Sequence, residues 1–133
     1  MANIYKLIEE VPVWQKAHSL ALGVYKVTKS FPTIEIYGLT SQTRRSVSSI
    51  PANITEGFYR NSTKELIQFL FNARGSLGEM VYHLKLSKDL GYLKDRDHLL
   101  LLESCNEVGR QLNGWIKSLK NKLINHKPLV INH

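Results

Sequence analysis

Between Leu66 and Leu84 the residues Leu66, Phe69, Leu70, Ala73, Leu77, Met80, Val81 and Leu84 recur at spacings of three and four. That rhythm gathers them on one side of an α-helix and is foreign to the two-residue alternation of a half-buried strand. The pattern returns in three other stretches, and no stretch alternates convincingly. A chain of this kind can bury its apolar stripes only by packing helix on helix.

The first stretch runs from about Pro12 to Ser30. Pro12 suits a first-turn position, where its missing N–H costs nothing. Trp14, Ala17, Ala21, Val24, Tyr25 and Thr28 fall on one face, and Phe31-Pro32 ends the segment. The second spans about Thr40 to Phe58, with the stripe Leu39, Thr43, Val47, Ile50, Ile54 and Phe58. Pro51 lies inside it, denies a hydrogen bond to the Val47 carbonyl and predicts a kink. Ser62-Thr63-Lys64-Glu65 reads as a capping box that opens the third helix, which Gly91 stops near Leu90. The fourth opens at Asp95 or Asp97 and runs to about Ile124, with Leu101, Cys105, Val108, Leu112, Trp115, Leu119 and Leu123 on one face and Pro128 beyond its end.

The expected architecture is therefore all-α: an antiparallel up-down-up-down four-helix bundle, a single domain over residues 1–133, with helices at about 12–30, 40–58, 63–90 and 96–124. A length of 133 residues suits one core. The longest strictly apolar run, Leu99–Leu102, is far short of the ~20 residues that span a bilayer, so no membrane partner is expected. The start, MANIYKLIEEVPVW, lacks the features of a signal peptide. With Cys105 the one cysteine, no internal disulfide can form. A reducing, cytoplasmic setting is the expectation, and Asn53-Ile54-Thr55 matches a glycosylation acceptor by chance.

Two helices carry a second face. On the second, Ser41, Arg45, Ser48, Ser49 and Ala52 lie away from the core stripe, short residues around one arginine. On the third, Ile67, Phe71, Gly75, Gly78 and Tyr82 lie opposite the main stripe, where a helix of a monomeric bundle should be polar. Glycine inside a helix costs ~1 kcal/mol relative to alanine, so two of them imply a packing reason. Ser48, Ala52, Ile67, Phe71, Gly75, Gly78 and Tyr82 are thus the candidate interface between subunits. The alternative is that the third helix sits deep inside its own bundle.

Net charge is +7, which favours anionic partners. After Glu107 no acid follows, while Arg110, Lys117, Lys120, Lys122 and Lys127 do. The outward side of the fourth helix collects Asn106, Arg110, Asn113, Lys117, Lys120 and Asn121. Cations with amides suit phosphate oxygens and sugar hydroxyls. With Arg45, which diverges by ~100° from Arg44, they form the candidate nucleic-acid-binding set. Arg44 instead flanks the core stripe and is expected to snorkel at its edge. A merely solvated basic face is the competing reading, and no aromatic stands within the patch for base stacking.

No catalytic residue, cofactor or metal is expected. A two-metal bundle needs paired Glu-x-x-His motifs, whereas Glu79 and His83 are four apart and no second pair answers them. His18 reads as a partly buried histidine and Cys105 as an inert core thiol. Gly-rich phosphate loops and serine-nucleophile motifs are missing from the sequence.

Three groups of residues carry a resemblance across Val13 to about Leu119: Gln42-x-Arg44-Arg45, Ser49-Ile50-Pro51-x-Asn53-Ile54-x-Glu56-Gly57, and Gly75-Ser76-Leu77-x-Glu79. Together they resemble the four-helix-bundle family of proteins encoded in intervening sequences of 23S rRNA genes. Ser46 and Thr55 depart from it, standing where the family leads one to expect alanine. The resemblance implies an up-down bundle assembled as a ring-shaped homopentamer, and no enzymatic activity. The family is in turn similar to the accessory protein of diversity-generating retroelements, a basic pentamer that works with a reverse transcriptase and nucleic acid. Taken together, these readings predict a non-enzymatic oligomeric accessory protein that binds nucleic acid, above all RNA. The alternative is a homo-oligomeric protein–protein adaptor whose positive charge is incidental.

Overall fold

The computed structural model describes residues 4–125. Its helices are α1 (Pro12–Thr28), α2 (Leu39–Phe58), α3 (Thr63–Asp89) and α4 (Asp95–Asn125), with short 3-10 turns at Ile8–Glu10 and Thr33–Glu35. No strand occurs among the described residues. The expected boundaries hold to within a residue or two. Pro128, read as lying past the fourth helix, falls outside the described residues.

Local chemistry sets the ends. Pro12 occupies the first turn of α1. Ser62 caps α3, its Oγ accepting from the Glu65 N–H at 3.3 Å. The return half of the expected capping box does not form, because the Glu65 carboxylate turns to Arg60 Nη1 at 3.5 Å. Gly91 has φ +81°, a left-handed turn that side chains disfavour and that ends the α3 segment. Asp95 and Asp97 lie in the first turn of α4, where the helix dipole favours acids.

Each helix packs on two others, α1 on α2 and α4, and α3 on α2 and α4. A single hydrophobic cluster joins all four. Ile50, Ile54, Leu66, Leu70, Met80, Leu84, Leu112 and Leu119 are its largest fully buried side chains. Burying each stabilises the fold by about 1.5–3 kcal/mol relative to exposure. Two buried hydroxyls return to their own helix: Thr28 donates to the Val24 carbonyl at 2.8 Å and Thr43 to that of Leu39 at 2.6 Å.

The predicted stripes need adjusting at their edges. On α1, Val13 and Leu20 are buried while Tyr25 is exposed and lies beneath the Arg44 guanidinium. On α4, Ile116 is buried and Trp115 only half so. His18 is exposed, not partly buried, and stacks on Trp14 with ring centroids 4.8 Å apart. Arg44 behaves as expected at the edge of the core, its Nε donating to Thr28 Oγ1 at 2.8 Å. Helix α2 continues through the buried Pro51 without interruption.

Candidate nucleic-acid interface

On α4 the side facing away from the core presents Asn106, Arg110, Asn113, Lys117, Lys120 and Asn121, all exposed. Neighbouring α3 contributes a residue that sequence reasoning passed over. Arg74 Nη1 donates to Asn113 Oδ1 at 3.0 Å, and its guanidinium lies over the Phe71 ring, 4.7 Å from the centroid. Lys120 Nζ lies 4.8 Å from the same centroid. Phe71 thus gathers a cation from each helix, and cation–π attraction orders both. Its three-residue spacing from Arg74 was the signal available in the sequence.

Between α3 and α4 runs an open groove of about 490 Å³. Its floor is apolar and small, with Leu77, Gly78, Val81 and Gly109; its walls carry Arg74, Asn106, Arg110 and Asn113. Nothing lies within 4 Å of a Cβ placed at Gly78, whereas one at Gly109 would meet Leu77 Cδ2 at 3.4 Å.

The face is less purely cationic than the residue list suggests. Arg110 pairs with Glu107 one turn earlier on α4. Glu107 also accepts from Gln111 Nε2 at 2.9 Å. These hydrogen bonds, Gln111 first and then Arg110, hold its carboxyl below the usual range, with Lys16 adding a smaller pull. Among the described residues Lys117 carries no such partner.

The structure does not bring Arg45 to this face. It is exposed on α2, while α4 packs on α1 and α3.

The candidate interface residues also divide. Ile67 is buried in its own chain's core at 8% exposure, which leaves it little surface for a subunit contact. Phe71 is half-buried against the same core. The reason is rotational: Ile67, Phe71 and Gly78 lie on the flank of α3 that turns to α4, not opposite its core stripe. Gly75, Gly78 and Tyr82 are exposed, and a Cβ at Gly75 would meet nothing within 4 Å. On α2, Ser48 is half-buried and Ala52 exposed. Both lie toward the α1 side, the side on which Thr55 accepts from Trp14.

Two further features escaped the sequence. Ser46 Oγ donates to Glu79 Oε1 at 2.9 Å and lies 3.3 Å from Nδ1 of the buried His83, so the Glu79–His83 pair joins α3 to α2. In the connector before α2, Ile34 and Tyr37 stand 87% and 94% exposed. Cys105 is buried, and desolvation pushes its thiol up to about 11. Among the described residues no three His, Cys, Asp or Glu side chains gather as a metal site, and no helix is long and apolar enough to cross a membrane.

These features define a class: a small all-helical protein of four packed helices with a cation-walled groove between its last two. Residues 9–114 match the model of the 23S rRNA-intervening sequence proteins, and the chain belongs to that family. A solved crystal structure from Bacteroides thetaiotaomicron VPI-5482, of a protein with unknown function from the S23 ribosomal protein family, has the same fold. The two superpose with a TM-score of 0.75 at 24% identity, covering 84% of this chain and 99% of that one. Among curated proteins no significant match is found. The family match ends at Gly114, so Lys117, Lys120 and Asn121 lie beyond it.

Proposed function

We propose that the chain is a non-enzymatic, homo-oligomeric accessory protein that binds nucleic acid, RNA above all, through the outward face of α4 repeated around the assembly. The observation that carries the reading is the run of exposed cations and amides from Asn106 to Asn121, extended by Arg74 of α3 across the groove. Such a surface suits a phosphate backbone, and repetition adds avidity to contacts that are individually weak. Arg45, on another face, would meet the ligand only in an assembly.

In this reading the helices run up-down-up-down. The support is that the connectors after α1 and α3 meet: Phe31 and Tyr92 have ring centroids 5.7 Å apart, and the Tyr92 hydroxyl donates to Glu35 Oε2 at 3.0 Å. The subunits associate head to tail, the Ser48 and Ala52 face of α2 against Gly75 and Tyr82 of α3 on the next copy, while Gly78, turned to the α4 side, lines the open groove. Two different faces in contact make a heterologous interface, which closes into a ring when the rotation permits. The homopentamer implied by the resemblance is the closure proposed. A cytoplasmic setting belongs to the same reading, supported by a lone buried thiol. The burial that raises that thiol's pKa makes Cys105 a poor nucleophile.

The test is a titration of structured RNA and duplex DNA against the protein at two salt concentrations, with the particle mass measured by light scattering. Binding that weakens with salt, by a particle of several chains, is the expected result. No binding even at low salt removes the reading.

A second reading, a protein–protein adaptor, is favoured by the exposed Ile34 and Tyr37. It expects a protein partner whose binding survives nuclease and high salt and is lost in the double variant Ile34→Ser, Tyr37→Ser.

A further inference from the structure

The geometry points to the groove between α3 and α4 as a receptor for one unpaired nucleotide, so that the protein prefers single-stranded or looped nucleic acid over duplex. This inference rests on the nucleic-acid reading above and narrows it.

A duplex is wider than the surface groove between two packed helices, whose axes lie about 8–10 Å apart. A duplex can only lie across the lips and touch the outer cations. A base extruded from a single strand fits an open groove of about 490 Å³. The absence of side chains at Gly78 and Gly109 is what leaves that space open.

The floor of Leu77, Gly78, Val81 and Gly109 is apolar, as the face of a base requires. Stacking needs a flat partner, and Arg74 supplies one. Phe71 covers one face of its guanidinium and Asn113 holds its edge. The opposite face of this exposed side chain is left for a base, and guanidinium planes serve as stacking platforms for unpaired bases. Because the plane is held before the ligand arrives, little side-chain freedom is lost on binding. The aromatic that the patch lacks by sequence is thus replaced by an aromatic-backed arginine.

Asn113 accepts from Arg74 through Oδ1, which leaves its Nδ2 hydrogens to donate to a base acceptor. On the same groove, Asn106 offers both an acceptor and a donor. Arg110 stands at the lip, where a phosphate competes with Glu107 for it.

The test compares an unstructured single-stranded RNA with the same RNA annealed to its complement, by fluorescence anisotropy, for the wild type and Arg74→Lys. Lysine keeps the charge and loses the plane. The expected result is tighter binding of the single strand by about tenfold, the scale of one stacked base, with most of that preference lost in Arg74→Lys and duplex binding unchanged. Equal binding of both RNAs by the wild type, or an undiminished preference in Arg74→Lys, overturns this inference and leaves the broader reading standing. Failure of both RNAs to bind at low salt overturns the two together.

Discussion

Trp14 on α1 donates its indole N–H to Thr55 Oγ1 on α2 at 3.0 Å, and the Thr55 hydroxyl donates onward to the Pro51 carbonyl at 2.8 Å. The bridge ties α1 to α2 within a turn of the proline that removes a backbone donor. Ser46 does the equivalent on the other flank of α2 through Glu79. Thr55 and Ser46 are the two positions where the sequence departs from the alanine expected of the family, and each departure makes an inter-helix hydrogen bond. Thr55→Val leaves the half-buried indole N–H without its acceptor and costs about 1 kcal/mol, while Thr55→Ser keeps most of it. Denaturant unfolding of the three proteins checks both.

Two glycines should respond in opposite directions. A Cβ at Gly57 would stand 2.8 Å from Phe69 Cβ and 3.0 Å from Leu66 Cδ1, so Gly57→Ala forces α2 and α3 apart and costs about 1–3 kcal/mol. At Gly78 the space is open, and Gly78→Ala gains up to about 1 kcal/mol of helix propensity. Thermal unfolding at equal protein concentration separates the two.

Core and assembly can be pulled apart in the same way. Ile67→Ala leaves a cavity under α3 and is expected to cost about 2–4 kcal/mol with the particle mass unchanged. Gly75→Trp is expected to keep helix content and lower the mass. Circular dichroism with light scattering reads both, and a mass change in Ile67→Ala would return that residue to the interface.

Burial of the Cys105 thiol sets a pH dependence. With its pKa pushed up to about 11, the folded state retains the proton that the unfolded chain releases near 9.0, the ordinary value for a thiol. Its contribution to stability is therefore full below about pH 9 and is lost as pH rises toward 11. Stability should fall less steeply across that window in Cys105→Ala than in the wild type. A thiol reagent at pH 8 should label Cys105 only after denaturant is added.

Periodicity and punctuation carried the helices. Spacings of three and four, Pro12, Ser62 and Gly91 are local signals, and local physics placed the elements to within a residue or two. The flanks of the stripes were not legible, because they depend on which neighbour each helix turns to. Ile67 reads as part of a second face on a helical wheel, yet it is buried in its own chain's core. The basic run on α4 was visible in the sequence, but its geometry was not. Arg74 joins it only because α3 and α4 are adjacent, and Glu107 draws on Arg110 from one turn away. A hydrogen bond between residues 39 apart, such as that of Arg74 with Asn113, has no signature in either segment.

The most direct test of the account is the slope of log affinity for RNA against log salt concentration, for the wild type and for the triple variant Arg110→Gln, Lys117→Gln, Lys120→Gln. If these cations hold phosphates, the wild-type slope is steep and the variant binds more weakly with a slope shallower by about 2, at roughly 0.7 per lost single-strand phosphate contact. An unchanged slope and affinity in the triple variant would contradict the assignment of the α4 face to nucleic acid.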